Sequence, residues 1–451
     1  MRRQATARDV SRAKTYWRYL RFCSVRSNGA VAADACRATQ SSTERVEVHP
    51  TSNIASLAAK VPPSLREALF LFLVFRIGLS LLAVAAAFMF GVPPPCFHHG
   101  VVDWVTMPEL HAVGPEGMLF GVWERWDACW YLRIATFGYP PAEPGTAFFP
   151  AYPVAVRIGG AFLGDLTLGA LFVSALGYIA AMAVLHSMVR RDFSAAVANR
   201  AVLYASAFPT AFFFFAPFTE STFLALAISA IYFARSGRFA FAAALGLLAG
   251  LTRAQGALLA LPLAWQALTL LRPPESERVR WRRVAAGSAA AIAPVVGFLS
   301  FLAVSSSLLG ASPLGAAQQH WGYAMAPPWE VLSGAWKWMM DDANAVYANI
   351  RALTAFHLVL IAMFVAGFVV GLRRLPAVYS IYWGPQLFLI TAGGPATPLA
   401  SASRYMLVMF PMFVVLALAG KGRWLHTGWL AASLLGLALL TLAFLQNVPV
   451  G

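Results

Sequence analysis

The residues best equipped for chemistry lie in Trp123-Glu124-Arg125-Trp126-Asp127-Ala128-Cys129-Trp130-Tyr131, a run continuing through Ile134 to Gly138-Tyr139 and on to Phe148-Phe149-Pro150-Ala151-Tyr152-Pro153. One carboxylate, Asp127, stands among indoles just after the first long apolar run. A carboxylate so placed can take the proton of a hydroxyl that attacks a membrane-borne substrate, a contribution of roughly 10²–10⁴-fold when it is well positioned. Written as one helix, Trp123, Trp126, Trp130, Arg133 and Phe137 form a stripe and Glu124, Asp127 and Tyr131 a neighbouring one, which predicts a helix lying in the membrane interface. An aromatic belt with a solvated Asp127 fits the same pattern, and spacing alone does not choose.

Two arginines could serve the other half of a transfer reaction, in which a departing phosphate gains negative charge and a guanidinium fork pairs with it. Arg404 follows the small, polar stretch Thr397 to Ser403, and Arg253 sits in the apolar context Leu251-Thr252. Each has a structural alternative: snorkelling at a helix end for Arg404, an ion pair with Glu220 for Arg253. Arg76, inside the first apolar run, needs a partner that the sequence does not name. Gln318-Gln319-His320-Trp321 shares the 310–352 segment with Trp329, Trp336 and Trp338. Indoles stack on sugar faces and amides bind hydroxyls, so the segment could cover an acceptor, or it could anchor at the interface. His320 is an alternative base or a solvated side chain.

The elements that must position these groups are membrane helices. Of 451 residues, 59% are hydrophobic and 12% charged, and apolar runs recur at 67–92, 166–189, 197–216, 220–235, 239–254, 256–271, 285–309, 353–373, 377–394, 403–420 and 425–446. They predict an all-α integral membrane protein with about 11 spans, each long enough for a hydrocarbon core of roughly 30 Å. The net charge of +15 is carried between the spans and in the N-terminal region, a topology signal that excludes a soluble nucleic-acid-binding domain. Residues 1–62 read as a disordered, basic cytoplasmic tail, with a basic patch around Trp17-Arg18-Tyr19-Leu20-Arg21 suited to anionic lipid. Arg190-Arg191, Arg235 with Arg238, the Arg272–Arg283 cluster, Arg373-Arg374 and Lys421 with Arg423 then fall on the cytoplasmic side. Asp127, Thr219-Glu220, the turn at Arg253, the 310–352 loop and the approach to Arg404 fall outside. The alternation requires an even number of crossings within the 93–165 loop, hence a re-entrant or hairpin element around Phe148 to Leu163. Cys96 and Cys129 would face an oxidising compartment, where a bridge is allowed without being required. His98, His99, Asp103 and His111 share a short polar loop, yet no zinc spacing appears, and neither metal nor cofactor is expected.

Trp126-Asp127 with Tyr131, Ile134 and Gly138-Tyr139, then Phe148-Phe149-Pro150-x-Tyr152-Pro153, Thr219-Glu220-Ser221, Thr252-Arg253-x-Gln255-Gly256 and Ser403-Arg404-Tyr405 together resemble the GPI mannosyltransferase II (PIG-V-type) family, in its bacterial branch. The resemblance implies a GT-C-type multi-span domain over 63–451. It implies transfer of a hexose, mannose by analogy, from a polyprenyl-phosphate sugar to a glycan, glycolipid or protein acceptor at the outer face of the cell membrane. It also implies Asp127 as the catalytic base. Arg404 and Arg253 are then expected at the donor phosphate, and Trp126, Tyr131, Glu220, Gln319, His320 and Trp321 at the substrates. Many GT-C enzymes carry two adjacent acidic residues at this place; here a single one follows Trp126. The rival from another class is a transporter or flippase of lipid-linked sugars, which would place its ionisable groups near the bilayer midplane in related halves.

Overall fold

The computed structural model describes residues 61–93, 96, 114–139, 144–269, 277–394, 399 and 401–450. The N-terminal tail up to residue 60, the Trp17–Arg21 patch and the polar residues His98, His99, Asp103 and His111 lie outside the described residues.

The described chain is almost wholly helical. In order, the α-helices are α1 (Pro63–Phe90), α2 (Gly114–Leu119), α3 (Asp127–Phe137), α4 (Ala151–Leu163), α5 (Leu166–Asp192), α6 (Ala195–Ala207), α7 (Glu220–Arg235), α8 (Phe239–Gly250) and α9 (Ala260–Thr269). There follow α10 (Glu277–Leu308), α11 (Pro313–Trp321), α12 (Pro328–Met340), α13 (Ala348–Arg374), α14 (Ala377–Ala392), α15 (Ala402–Leu407), α16 (Pro411–Ala419) and α17 (Arg423–Leu445). Two two-residue strands, β1 (Ala324–Met325) and β2 (Gly393–Gly394), pair antiparallel.

Every apolar run read from the sequence contains helix, but their lengths differ. Among the described residues, five helices, α1, α5, α10 (from Trp281), α13 and α17, are long and apolar enough to cross a bilayer. The others are short or broken. The 197–216 run ends as α6 at Ala207 and resumes as a 3-10 turn at Ala211–Phe214, and the 403–420 run breaks between α15 and α16. These breaks put irregular backbone in the protein interior, where side chains and turns satisfy it. The protein is a membrane protein.

Local signals account for the helix ends. Proline opens α1 at its first position, the Asp165 side chain caps α5 by accepting from Leu168 N at 2.7 Å, and Ser194 caps α6 through Val197 N at 3.3 Å. Arg190 and Arg191 sit in the last turn of α5, where the carbonyl end of the helix favours cations.

The element expected around Phe148 to Leu163 is α4. At 13 residues it is about 20 Å long, short of the hydrocarbon core. It folds back on α5 through Gly164, whose φ of +78° suits glycine. The two helices touch at glycines: a Cβ on Gly169 would lie 2.3 Å from the Gly160 backbone nitrogen.

The prediction of one interfacial helix through Trp123–Phe137 is corrected. The chain instead makes a 3-10 turn at Gly121–Trp123 and restarts as α3 at Asp127. The reason is the buried Glu124-Arg125 pair between them. Glu124 accepts from Thr167 Oγ1 at 2.7 Å, and Arg125 donates to the carbonyls of Gly121 at 3.1 Å and Pro93 at 2.9 Å. Cys96 and Cys129 form a disulfide, and Cys96 N donates to the Glu124 carbonyl at 3.0 Å. Held from three sides, the chain turns at Trp126 with φ +53°, a left-handed conformation that costs about 1–3 kcal/mol in a non-glycine residue. The indoles of this stretch are packed, not displayed: Trp123 is 0% and Trp130 7% exposed.

Arg76 finds its partner here, donating to the Phe215 carbonyl at 3.0 Å with its guanidinium 5.4 Å from the centre of the Trp123 ring.

Gly169→Val is expected to lower stability by more than the ~1–3 kcal/mol of ordinary overpacking, because its Cβ meets backbone rather than a movable side chain. Gly334→Ala, with open space around it, should leave stability unchanged or slightly raised. Thermal unfolding of both variants in detergent checks this.

Candidate active site

A cavity of about 680 Å³ opens beside Asp127 and is bordered by Tyr131, Arg253, Gln255, Trp321, Tyr323 and Arg404, among others. Its volume lies in the range typical of small-molecule sites. The charged groups around it form one cluster. Arg404 donates from Nη1 to Asp127 Oδ2 at 2.5 Å, and its Nε lies 3.1 Å from Glu220 Oε1. Arg253 donates from Nη1 to the same Glu220 Oε1 at 2.6 Å and to Thr219 Oγ1 at 3.2 Å. Two guanidiniums and two carboxylates thus neutralise one another in an otherwise apolar surround. Glu220 is fully buried, whereas the Asp127 side chain keeps 24% of its surface.

Each member is placed by a local device. Asp127 and Glu220 are the first residues of α3 and α7, where backbone N–H groups favour negative charge. Arg253 lies where the chain doubles back after α8, a turn that demands glycine on both sides. A Cβ on Gly250 would sit 2.1 Å from the Pro294 carbonyl and one on Gly256 2.2 Å from the Ala249 carbonyl. The Thr-Arg-x-Gln-Gly spacing is therefore the sequence of a tight reversal that presents Arg253 and Gln255 together. Arg404 is held through its neighbour: Ser403 Oγ is 3.0 Å from His357 Nε2, and the Ser403 carbonyl accepts from Thr210 Oγ1 at 3.2 Å.

Aromatic rings complete the walls. Tyr405 lies under both guanidiniums, 4.8 Å from Arg253 and 5.3 Å from Arg404, and Tyr323 Oη donates to Tyr405 Oη at 3.3 Å. Phe148 packs against Tyr131 at 5.2 Å and against Trp321 at 5.6 Å between ring centres. Burial pushes the Tyr131 and Tyr323 phenols above their ordinary range, so both stay protonated hydrogen-bonding groups at neutral pH.

The residues predicted from sequence separate into three groups. Asp127, Tyr131, Arg253, Arg404 and Trp321 border the cavity. Glu220 stands behind it and joins the two arginines. Trp126, Gln319 and His320 are not among the lining residues; Trp126 packs against the core, and Gln319 and His320 are exposed on α11. On that helix Gln318 and Trp321, three apart, share the inward face, so helical phase was the signal that identifies Gln318 instead of its neighbours. Gln255, Tyr323 and Tyr405 also belong to the lining. Gln255 is 6% exposed and its Oε1 has no hydrogen-bond partner among the described residues.

Residues 68–272 match the model of the family described as mannosyltransferase (PIG-V). Over that stretch the chain is similar to PIG-V-type mannosyltransferases. No curated protein and no solved structure matches it. The PIG-V match includes Asp127, Tyr131, Glu220 and Arg253, whereas Arg404 and the α11 wall lie beyond it. The fold brings these two parts of the chain to one cavity.

Removing one partner of a buried ion pair leaves an uncompensated charge and costs about 3–5 kcal/mol. Glu220→Gln, which leaves Arg253 without its carboxylate, is expected to lower stability by that order. Asp127→Asn should lower it much less, because Asp127 is part-exposed and Arg404 keeps Glu220. Thermal unfolding of the two variants, in detergent and without substrate, checks the ranking.

Proposed function

We propose that the protein transfers a hexose, mannose by its family, from a polyprenyl-phosphate donor to a glycan, glycolipid or protein hydroxyl at the extracytoplasmic face, in a single inverting displacement with Asp127 as base. The observation that carries this reading is the position of Arg404, bonded to Asp127 on one side and bordering the cavity on the other.

At rest the four charges balance. A donor phosphate entering the cavity adds a third anion, and Arg404 and Arg253 are the cations facing it. As Arg404 turns part of its fork toward phosphate, Asp127 is released from that hydrogen bond and can face the acceptor hydroxyl. The acceptor oxygen then attacks the anomeric carbon and its proton passes to Asp127. The bond from that carbon to the phosphate oxygen breaks, and its electron pair leaves with the phosphate between the guanidiniums. A double displacement needs a second carboxylate within reach of the sugar as a nucleophile. Glu220 does not qualify, being fully buried behind the arginines. Gln255, Gln318 and Tyr323 supply hydroxyl partners, and the Trp321 ring supplies an apolar face for the sugar.

The outer placement of the cavity is supported by the Cys96–Cys129 bridge, two residues along α3 from Asp127, since disulfides persist in oxidising compartments. The basic ends of α5 and α13 support it from the other side.

With purified protein and a labelled polyprenyl-phosphate mannose, Asp127→Asn is expected to abolish transfer while the donor still binds. Arg404→Lys keeps the charge and loses the fork, and a charge-assisted bond worth about 1.5–3 kcal/mol corresponds to roughly a 10- to 150-fold fall in rate or donor affinity. Wild-type activity in Arg404→Lys would remove Arg404 from the phosphate site, and full activity in Asp127→Asn would remove the base.

Cysteines introduced at Glu275 and Asn344, challenged with an impermeant thiol reagent on intact cells, test the orientation. Labelling at 344 and not at 275 is expected; the reverse result overturns the outward placement.

A further inference from the structure

The 310–352 segment carries four tryptophans, and the structure separates them. Trp321 borders the cavity. Trp329 and Trp336 do not: they are 70% and 55% exposed on α12, with Met340 at 51% in the same stripe. Positions 329, 333, 336 and 340 recur at helical spacing, so the two indoles, the Ser333 hydroxyl and a thioether share one face. A second face, Ala335 and Met339, is buried against the protein. A third carries Glu330 and Lys337, both exposed. A helix with a protein face, an indole face and a charged face is not built to stand in water alone, because large exposed apolar patches mark interaction surfaces.

The chain also fixes where this helix lies. It is flanked by α10 and α13, both long and apolar enough to cross a bilayer. Between them α11 has 9 residues and α12 has 13, too few to cross. The whole connection therefore begins and ends at one membrane surface. At that depth indoles settle among headgroups while charged side chains face water.

We propose that α12 seats its Trp329–Trp336–Met340 face in the lipid leaflet beside the cavity, with Glu330 and Lys337 toward solvent. The consequence for the cavity follows from the adjoining residues. Leu314 and Met325 border it and are 52% and 64% exposed, and Met325 lies in β1, whose pairing with β2 ties the connection to the end of α14. With α12 in the leaflet, this apolar edge meets acyl chains, and a lipid-linked donor can keep its hydrocarbon tail in the bilayer while its phosphate reaches Arg404. The seat stands on geometry alone; the role as donor entrance rests on the function proposed above.

Two measurements separate these. In the full chain with Cys23→Ser and Cys36→Ser, nitroxide labels are placed singly at Trp329→Cys, Trp336→Cys, Glu330→Cys and Lys337→Cys, and the protein is put in nanodiscs of phosphatidylcholine and phosphatidylglycerol. Labels at 329 and 336 are expected to be relaxed by oxygen in preference to a water-soluble nickel chelate, and labels at 330 and 337 the reverse. Nickel access at all four positions, or protection from both reagents at 329 and 336, overturns the seat. The second measurement compares KM for a long-chain donor and a short-chain, water-soluble one in nanodiscs. Trp329→Ser with Trp336→Ser should raise KM for the long-chain donor by roughly tenfold, from the lost transfer of two indoles, and leave the short-chain KM and kcat unchanged. Equal changes for both donors overturn the entrance while the nitroxide result stands, and absence of transfer from either donor by wild type overturns the function without touching the seat.

Discussion

The arrangement depends on a charge balance. Four ionised groups held in an apolar helical bundle are tolerable only because they sum to zero and share hydrogen bonds, and the helices that carry them have little freedom to move apart. Glu220 is the hinge of this balance: one carboxylate oxygen lies within bonding distance of both guanidiniums. Without it Arg253 and Arg404 would repel each other across the Tyr405 ring. The same cluster supports the proposed seat for a donor phosphate in the cavity. A site neutral as a whole has Arg253, Arg404 and Asp127 on its wall and the fully buried Glu220 behind them, which leaves that wall with a net positive charge.

The helix carrying Glu220 is pinned at both ends. At its far end Arg235 makes a two-pronged pair with Asp192 of α5 at 2.6 and 2.7 Å, and Tyr379 of α14 donates to the same carboxylate at 2.7 Å. Between these knots α5 and α7 approach so closely that a Cβ on Gly177 would meet the Thr222 nitrogen at 2.7 Å. The rigid frame thus runs from one charge cluster to the other. A carboxylate at the start of α7 inherits its position from ion pairs a full helix away, which is how a membrane bundle with weak hydrophobic discrimination fixes a polar site.

Much of this was legible in the residues. The apolar runs gave the helices, and the cost of an unpaired arginine inside one pointed from Arg253 to Glu220, an ion pair that the structure contains. Asp127 and Arg404 were each visible as chemistry, but their contact across 277 positions had no local signal. Nor did the start of α3: the regular spacing from Trp123 to Phe137 described a longer helix, and the Glu124-Arg125 anchor that breaks it is satisfied by Thr167 and Pro93, both distant in sequence. The choice between neighbours on α11 was open for a different reason. Gln318 and Gln319 are chemically alike, and their roles differ only by the phase of a helix whose inward face depends on tertiary packing. The breaks inside the 197–216 and 403–420 runs were not legible, because an apolar run does not reveal where the backbone breaks inside it.

The two walls of the cavity are built to different standards. On the side of Asp127, a disulfide, the buried Glu124-Arg125 anchor and the glycine-tight reversal at Arg253 fix the backbone. Across the cavity, the 313–325 stretch is held by the two-residue β1–β2 pairing, the Tyr323–Tyr405 hydrogen bond and the packing of Trp321 on Phe148 and Trp130. Fixed groups suit the reacting centre, where an error of about 1 Å can cost 10²-fold in rate. The division places Asp127 and the two arginines on the frame built from the disulfide, the Glu124-Arg125 anchor and the Arg253 reversal, and puts the apolar edge of Leu314 and Met325 on the other part.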